Sequence, residues 1–106
     1  MEVGIDLVIV DTLKARISKD PSYISKLLSE DEVKEWNVEK FAGKIAAKEA
    51  LIKTGLIKAG EWHKVQIKSL PSGKPAVFDE MGRKLKGVKI SISHAGAYAV
   101  SIALLE

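Results

Sequence analysis

Two carboxylates interrupt stretches that are otherwise apolar. Asp6 stands within Val3-Gly4-Ile5-Asp6-Leu7-Val8-Ile9-Val10, whose dense β-branched content reads as a strand buried on both faces. Glu49 stands within Phe41–Lys53, which reads as a helix. At the helical period Phe41, Ile45, Glu49 and Ile52 share one face, so the glutamate continues an apolar stripe. A buried anionic carboxylate is costly unless it is paired or ligates a metal, and two of them point to a small site for a hard cation with oxygen ligands. Lys53 follows Glu49 by four residues, on the same helical face and about 6 Å further along the axis. Alone, that glutamate and lysine would read as a solvated pair of little energetic weight. With Asp6 they make a site for a divalent cation bound to phosphate, the lysine neutralising charge that develops on the phosphate oxygens.

The elements that must carry these residues can be read along the chain. Residues 2–10 form a strand, followed by a polar stretch in which Lys14, Arg16 and Lys19 cluster ahead of Asp20-Pro21. Pro21 at a first helical position predicts a short helix through Leu28. Ser29 and Glu32 have capping-box spacing and should open the next helix. Asn37 interrupts or recaps it, and residues 38–54 make the longest helix, stopped by Gly55. Residues 62–69 alternate as a strand, Ser72-Gly73 turns the chain, and Pro75–Phe78 returns. Asp79–Lys86 has room for one or two helical turns. Residues 88–93 alternate again, Ala95-Gly96-Ala97 turns, and Tyr98–Leu105 closes as a last strand. A strand, a block of helices and then hairpins predict a single α+β domain over residues 1–106.

Composition narrows the partners. With 106 residues, 46% hydrophobic and 29% charged, the chain has the make-up of one folded domain, and 6% aromatics leaves its core to Val, Ile, Leu and Ala. It has no cysteine, which excludes disulfides, cysteine-ligated zinc and thiol catalysis. No apolar run is long enough to span a membrane, and no basic region precedes the first one, so neither a membrane segment nor a signal peptide is expected and the cytoplasm is the expected location. The net charge of +3 is uneven: residues 1–53 hold nine basic and ten acidic groups, residues 54–106 eight basic and four acidic. The basic C-terminal half suits an anionic ligand. Nucleic acid is not the expected one, because Arg16 and Arg83 are the only arginines and no strand presents aromatics for stacking bases. Trp36 and Trp62 read as packing groups, and His63 has no functional case.

Longer motifs carry a resemblance. Val3-Gly4-Ile5-Asp6, followed about forty positions later by Lys48-Glu49-Ala50-Leu51-Ile52-Lys53, resembles the paired signature of 4′-phosphopantetheinyl transferases. Phe41-Ala42-Gly43-Lys44 leading into Ile45-Ala46-Ala47-Lys48, Ser72-Gly73-Lys74-Pro75, and Ile90-Ser91-Ile92-Ser93-His94 with Tyr98-Ala99 are similar to the short holo-acyl-carrier-protein synthase type. These matches occur in order from residue 3 to about residue 104, nearly the whole chain.

The resemblance implies transfer of the phosphopantetheine arm of coenzyme A to a serine of an apo-acyl carrier protein, with adenosine 3′,5′-bisphosphate released. It implies Mg²⁺ held by Asp6 and Glu49, and Lys53 on the pyrophosphate. Glu49 or a metal-ordered water would accept the serine proton. Lys44, Lys48, Gly73, Lys74, Pro75 and His94 would complete the coenzyme A site. A homotrimer with active sites shared between subunits is also implied. The chain departs from the family pattern where Ile9 replaces an acid, Thr12 an arginine used on the carrier protein, and Ala95 a hydroxyl residue, and where the 54–61 loop is short. Lys14 and Arg16 are the basic residues that would take over the carrier contact.

Overall fold

The computed structural model describes residues 1–106. The first strand, β1 (Glu2–Ile9), runs straight into helix α1 (Val10–Lys19), and α2 (Tyr23–Leu27) follows. The long helix α3 (Val38–Thr54) leads through Gly55 to a hairpin of β2 (Val65–Ser69) and β3 (Pro75–Asp79). A second hairpin, β4 (Val88–Ala95) and β5 (Tyr98–Leu105), closes the chain. The strands form two antiparallel sheets, one in the order β1-β5-β4 and the other β2-β3. Asp6 lies opposite Ser101 of β5.

Helix α3 is the spine. The Asn37 side chain accepts a hydrogen bond from the Lys40 amide at 3.0 Å and caps its start. Gly55 ends it in the left-handed region at φ +88°, which glycine adopts without a Cβ penalty. Ala42, Ala46, Ala47 and Ala50 are fully buried on it and let the sheet come close. Around its N-terminal half pack Val10, Leu13, Leu27, Leu28, Phe41 and Ile45. Around its C-terminal half pack Leu51, Ile57, Val65, Ile67, Val77 and Ile90. The approach of β1 to α3 depends on Gly4, since a Cβ there would lie 2.0 Å from the Ala50 carbonyl oxygen. That contact brings the strand carrying Asp6 against the helix carrying Glu49.

Several elements differ from the sequence expectation. The strand β1 is not buried on both faces: Gly4 is buried, but Val3, Ile5, Leu7 and Ile9 point outward and are each about half exposed, forming an open apolar face with Tyr98 and Ile102 of β5. The polar stretch after β1 is helix α1, with Val10 and Leu13 buried and Ile17 packed beside them. Ser29 and Glu32 do form the capping box, their backbone amides bonding each other's side chains at 2.8 and 3.4 Å. They open only one 3-10 turn, Asp31–Val33, before Asn37 restarts the chain. Residues 62–64 are likewise a 3-10 turn, so β2 begins at Val65. No helix follows β3; the Asp79 carboxylate accepts from the amides of Met81 and Arg83, both at 2.9 Å, and this holds a tight turn.

Candidate active site

Asp6 and Glu49 face into one cleft of about 590 Å³. Its walls include Leu7, Ile9, Thr12, Arg16 and Tyr23, so β1, α1, α2 and α3 all contribute. Burial and then the neighbouring Asp6 charge raise the Glu49 carboxyl above its ordinary value, and Lys53 partly offsets this. Lys53 does not pair with Glu49. Its ammonium reaches across to β1 and donates to the Ile5 carbonyl at 2.7 Å and to Asp6 Oδ1 at 3.2 Å.

Negative charge is thus concentrated at the two carboxylates with one cation beside them. No cluster of three or more acidic, histidine or cysteine side chains surrounds the pair. Two carboxylates with open positions remaining are what Mg²⁺ takes when water and phosphate oxygens supply its other ligands. The donor set fits Mg²⁺.

A second cleft, of about 410 Å³, lies along the N-terminal half of α3. It gathers Lys44, Gly73, Pro75 and His94 from the expected coenzyme A residues, together with Lys40 and Lys68. The two clefts have no lining residue in common. His94 Nε2 lies 2.9 Å from the Glu39 carbonyl, so it acts as the donor and leaves Nδ1 as the acceptor in the neutral ring. Gly43 makes room for that ring: a Cβ there would come within 2.9 Å of His94 Nε2 and of Ile92. The sequence contained this glycine within a matching motif but gave no hint of its role, because its neighbour comes from β4, some fifty residues later. Lys74, in the exposed β2–β3 turn, does not line the cleft.

The expectation for Lys48 has to be corrected. Its side chain is completely buried, and its ammonium bonds the Leu27 carbonyl at 2.8 Å, the Trp62 carbonyl at 2.7 Å and Glu32 Oε1 at 2.7 Å. An ammonium has three hydrogens, and all are taken within the protein, so none is left for coenzyme A. Of the two basic residues expected to touch a carrier protein, Arg16 lines the Asp6–Glu49 cleft, its guanidinium 4.7 Å from the centre of the Tyr23 ring. Lys14 does not; it lies 3.9 Å from Glu39. Trp36 meets Phe41 edge-on but stays 63% exposed, so it is not the packing group expected, and exposed His63 lies 2.9 Å from the Ser25 carbonyl.

No family model matches the chain. Individual proteins do. The holo-acyl-carrier-protein synthase of Halalkalibacterium halodurans is 31% identical over 113 residues, which covers 97% of this chain and 92% of that one. The same synthase from Chlorobaculum tepidum is 33% identical over 115 residues, covering 100% and 98%. Among solved structures, the fold matches the Helicobacter pylori synthase in complex with coenzyme A at a TM-score of 0.84, with 20% identity and 98% and 99% coverage. It matches the Neisseria meningitidis synthase at 0.83, with 23% identity and 99% and 97% coverage. Sequence relatives above 30% identity along nearly the whole chain, joined to this fold, show that the protein belongs to the holo-acyl-carrier-protein synthase family of phosphopantetheinyl transferases.

Proposed function

We propose that the protein transfers 4′-phosphopantetheine from coenzyme A to a serine of an apo-acyl carrier protein in the cytoplasm, releasing adenosine 3′,5′-bisphosphate. The observation that carries this reading is the convergence of Asp6 and Glu49 in one cleft with Lys53 on Asp6. Phosphoryl transfer depends chiefly on positioning and on neutralising phosphate charge, and these residues supply both. Mg²⁺, when bound by the two carboxylates, adds Lewis-acid neutralisation of the pyrophosphate. Lys53 turns its charge toward the same oxygens. Glu49, or a water held beside it, takes the serine proton as the serine oxygen attacks the β-phosphorus. Lys44, Gly73, Pro75 and His94 hold the nucleotide, with Lys74 available from the turn, and Arg16 meets the carrier protein.

The reading includes a homotrimer. Val3, Ile5, Leu7, Ile9, Tyr98 and Ile102 leave an apolar sheet face open to water, and a surface of that kind favours association. Leu7 and Ile9 of that face also wall the Asp6–Glu49 cleft. In a site shared between subunits, a neighbouring chain seated there brings its own nucleotide cleft toward these carboxylates. Thermal melting with coenzyme A, with and without Mg²⁺, tests the reading, because a ligand of the folded state raises Tm by mass action. The reading requires a rise with coenzyme A that is larger when Mg²⁺ is present. No rise under either condition refutes it and leaves an idle assembly domain of the same fold.

A further inference from the structure

Lys48 and Glu49 are adjacent on α3 but serve opposite sides of it. Glu49 faces the first cleft, whereas Lys48 runs into the interior to meet Glu32. Neither Lys48 nor Glu32 exposes any side-chain surface. Glu32 is fully engaged as well: Oε1 also accepts from the Ser29 amide at 2.8 Å, and Oε2 accepts from the Ile67 amide of β2 at 2.8 Å. The Glu32 backbone carbonyl accepts from Lys44 Nζ at 2.6 Å. One ion pair therefore ties α3 to the 27–33 segment, to the turn at Trp62 and to the middle of β2.

Of these parts, α3, the turn at Glu32 and β2 line the second cleft. Lys44 and Gly43 stand on its α3 side, Ile67 and Gly73 on its hairpin side, and the Glu32 segment closes it between them. A buried ion pair gives little stability compared with apolar groups of similar volume. What it provides here is fixed geometry, because its hydrogen bonds are directional and join α3 to two lining parts of the cleft, the Glu32 turn and, through the Ile67 amide, strand β2. We propose that Glu32 and Lys48 are positioning residues for the coenzyme A nucleotide, setting the separation of α3 from the β2–β3 hairpin and the place of the Lys44 ammonium. The inference rests on the assignment of this cleft to coenzyme A. Neither residue touches the ligand.

The test uses Glu32→Gln/Lys48→Met, which removes both charges together and leaves an amide oxygen able to accept from Ile67. Lys48→Met alone would strand a buried carboxylate and threaten folding. Steady-state transfer and calorimetric binding of coenzyme A are measured for the wild-type and the doubly substituted protein. A KM and Kd for coenzyme A raised about tenfold, with kcat and the carrier-protein KM within about threefold, is the expected result for a cleft whose walls have shifted by a fraction of an ångström. Unchanged coenzyme A binding in the folded double variant overturns the inference while leaving the proposed function standing. A loss confined to kcat also overturns it, since the pair would then act on Glu49. Should that variant not fold, Glu32→Gln/Lys48→Gln, which also removes both charges and keeps an amide donor for the buried carbonyls, must show the same KM-weighted loss; a kcat-weighted loss or none refutes it. A wild-type protein that neither binds nor uses coenzyme A ends the functional reading itself, and this inference with it.

Discussion

The Lys53 ammonium hydrogen-bonds Asp6 Oδ1 at 3.2 Å across the gap between α3 and β1, passing over Glu49, which is only one helical turn away on its own element. It is anchored beside Asp6 by the Ile5 carbonyl at 2.7 Å. A surface i,i+4 pair would have been incidental; a lysine fixed beside one carboxylate of a carboxylate pair has its charge directed at whatever the pair binds.

Lys53→Ala should therefore lower kcat more than it weakens coenzyme A binding, because its charge matters most as negative charge shifts in the transition state. Its side chain is half exposed, so the stability lost should be no more than about 1 kcal/mol. Steady-state kinetics decide the point: an unchanged kcat with only a raised KM assigns Lys53 to ground-state binding.

Asp6→Ala and Glu49→Ala should each reduce transfer by more than about 100-fold, the scale seen when a group stabilising transition-state charge is removed. The folded state should survive, with Tm unchanged or higher. Each substitution removes one of two like charges, and the burial that raises the Glu49 carboxyl disfavours its ionised form. A variant that unfolds, or one that keeps most of its activity, contradicts the role given to the pair.

The strand carrying Asp6 and the helix carrying Glu49 were legible in the sequence because their signals are local. Apolar density marks β1, while Asn37 and Gly55 bracket α3. Helix α1 was obscured because Asp11, Lys14, Arg16 and Lys19 dominate its surface and no side chain caps its start; only Val10, Leu13 and Ile17 mark the buried side. The open face of β1 could not be read either, since an apolar residue carries no record of whether its cover comes from the same chain or another. Lys48 was misplaced for a non-local reason. Its destination is set by Glu32, whose capping-box spacing with Ser29 concealed its second task of holding an ammonium and the Ile67 amide.

The turn after β3 makes a pH prediction. Hydrogen bonds from the Arg83 and Met81 amides and the Arg83 charge hold the Asp79 carboxyl below its ordinary 3.8. A depressed acid contributes stability that is present above the unfolded value near 3.8 and is lost as pH falls through the lower folded value. Asp79→Asn should melt lower than the parent at neutral pH, and the difference should shrink toward zero below that window. A difference in Tm that stays constant from neutral to acid pH rules out the carboxylate as its source.

Subunit sharing can be checked by complementation. A chain with Asp6→Ala lacks one carboxylate, and a chain with His94→Ala lacks one wall of the second cleft. If each active site takes these residues from different subunits, mixing the two inactive chains should restore part of the activity, and light scattering should show a trimer. A monomer with full specific activity excludes the arrangement.

Transfer of phosphopantetheine to the carrier protein is read by intact mass. The protein is incubated with an apo-acyl carrier protein, coenzyme A and Mg²⁺, with a parallel sample in excess chelator. The carrier protein should gain the mass of one phosphopantetheine, located on a single serine, in the Mg²⁺ sample and not in the chelated one. A carrier protein of unchanged mass at high enzyme concentration, with the wild-type chain folded and Mg²⁺ present, would contradict the account.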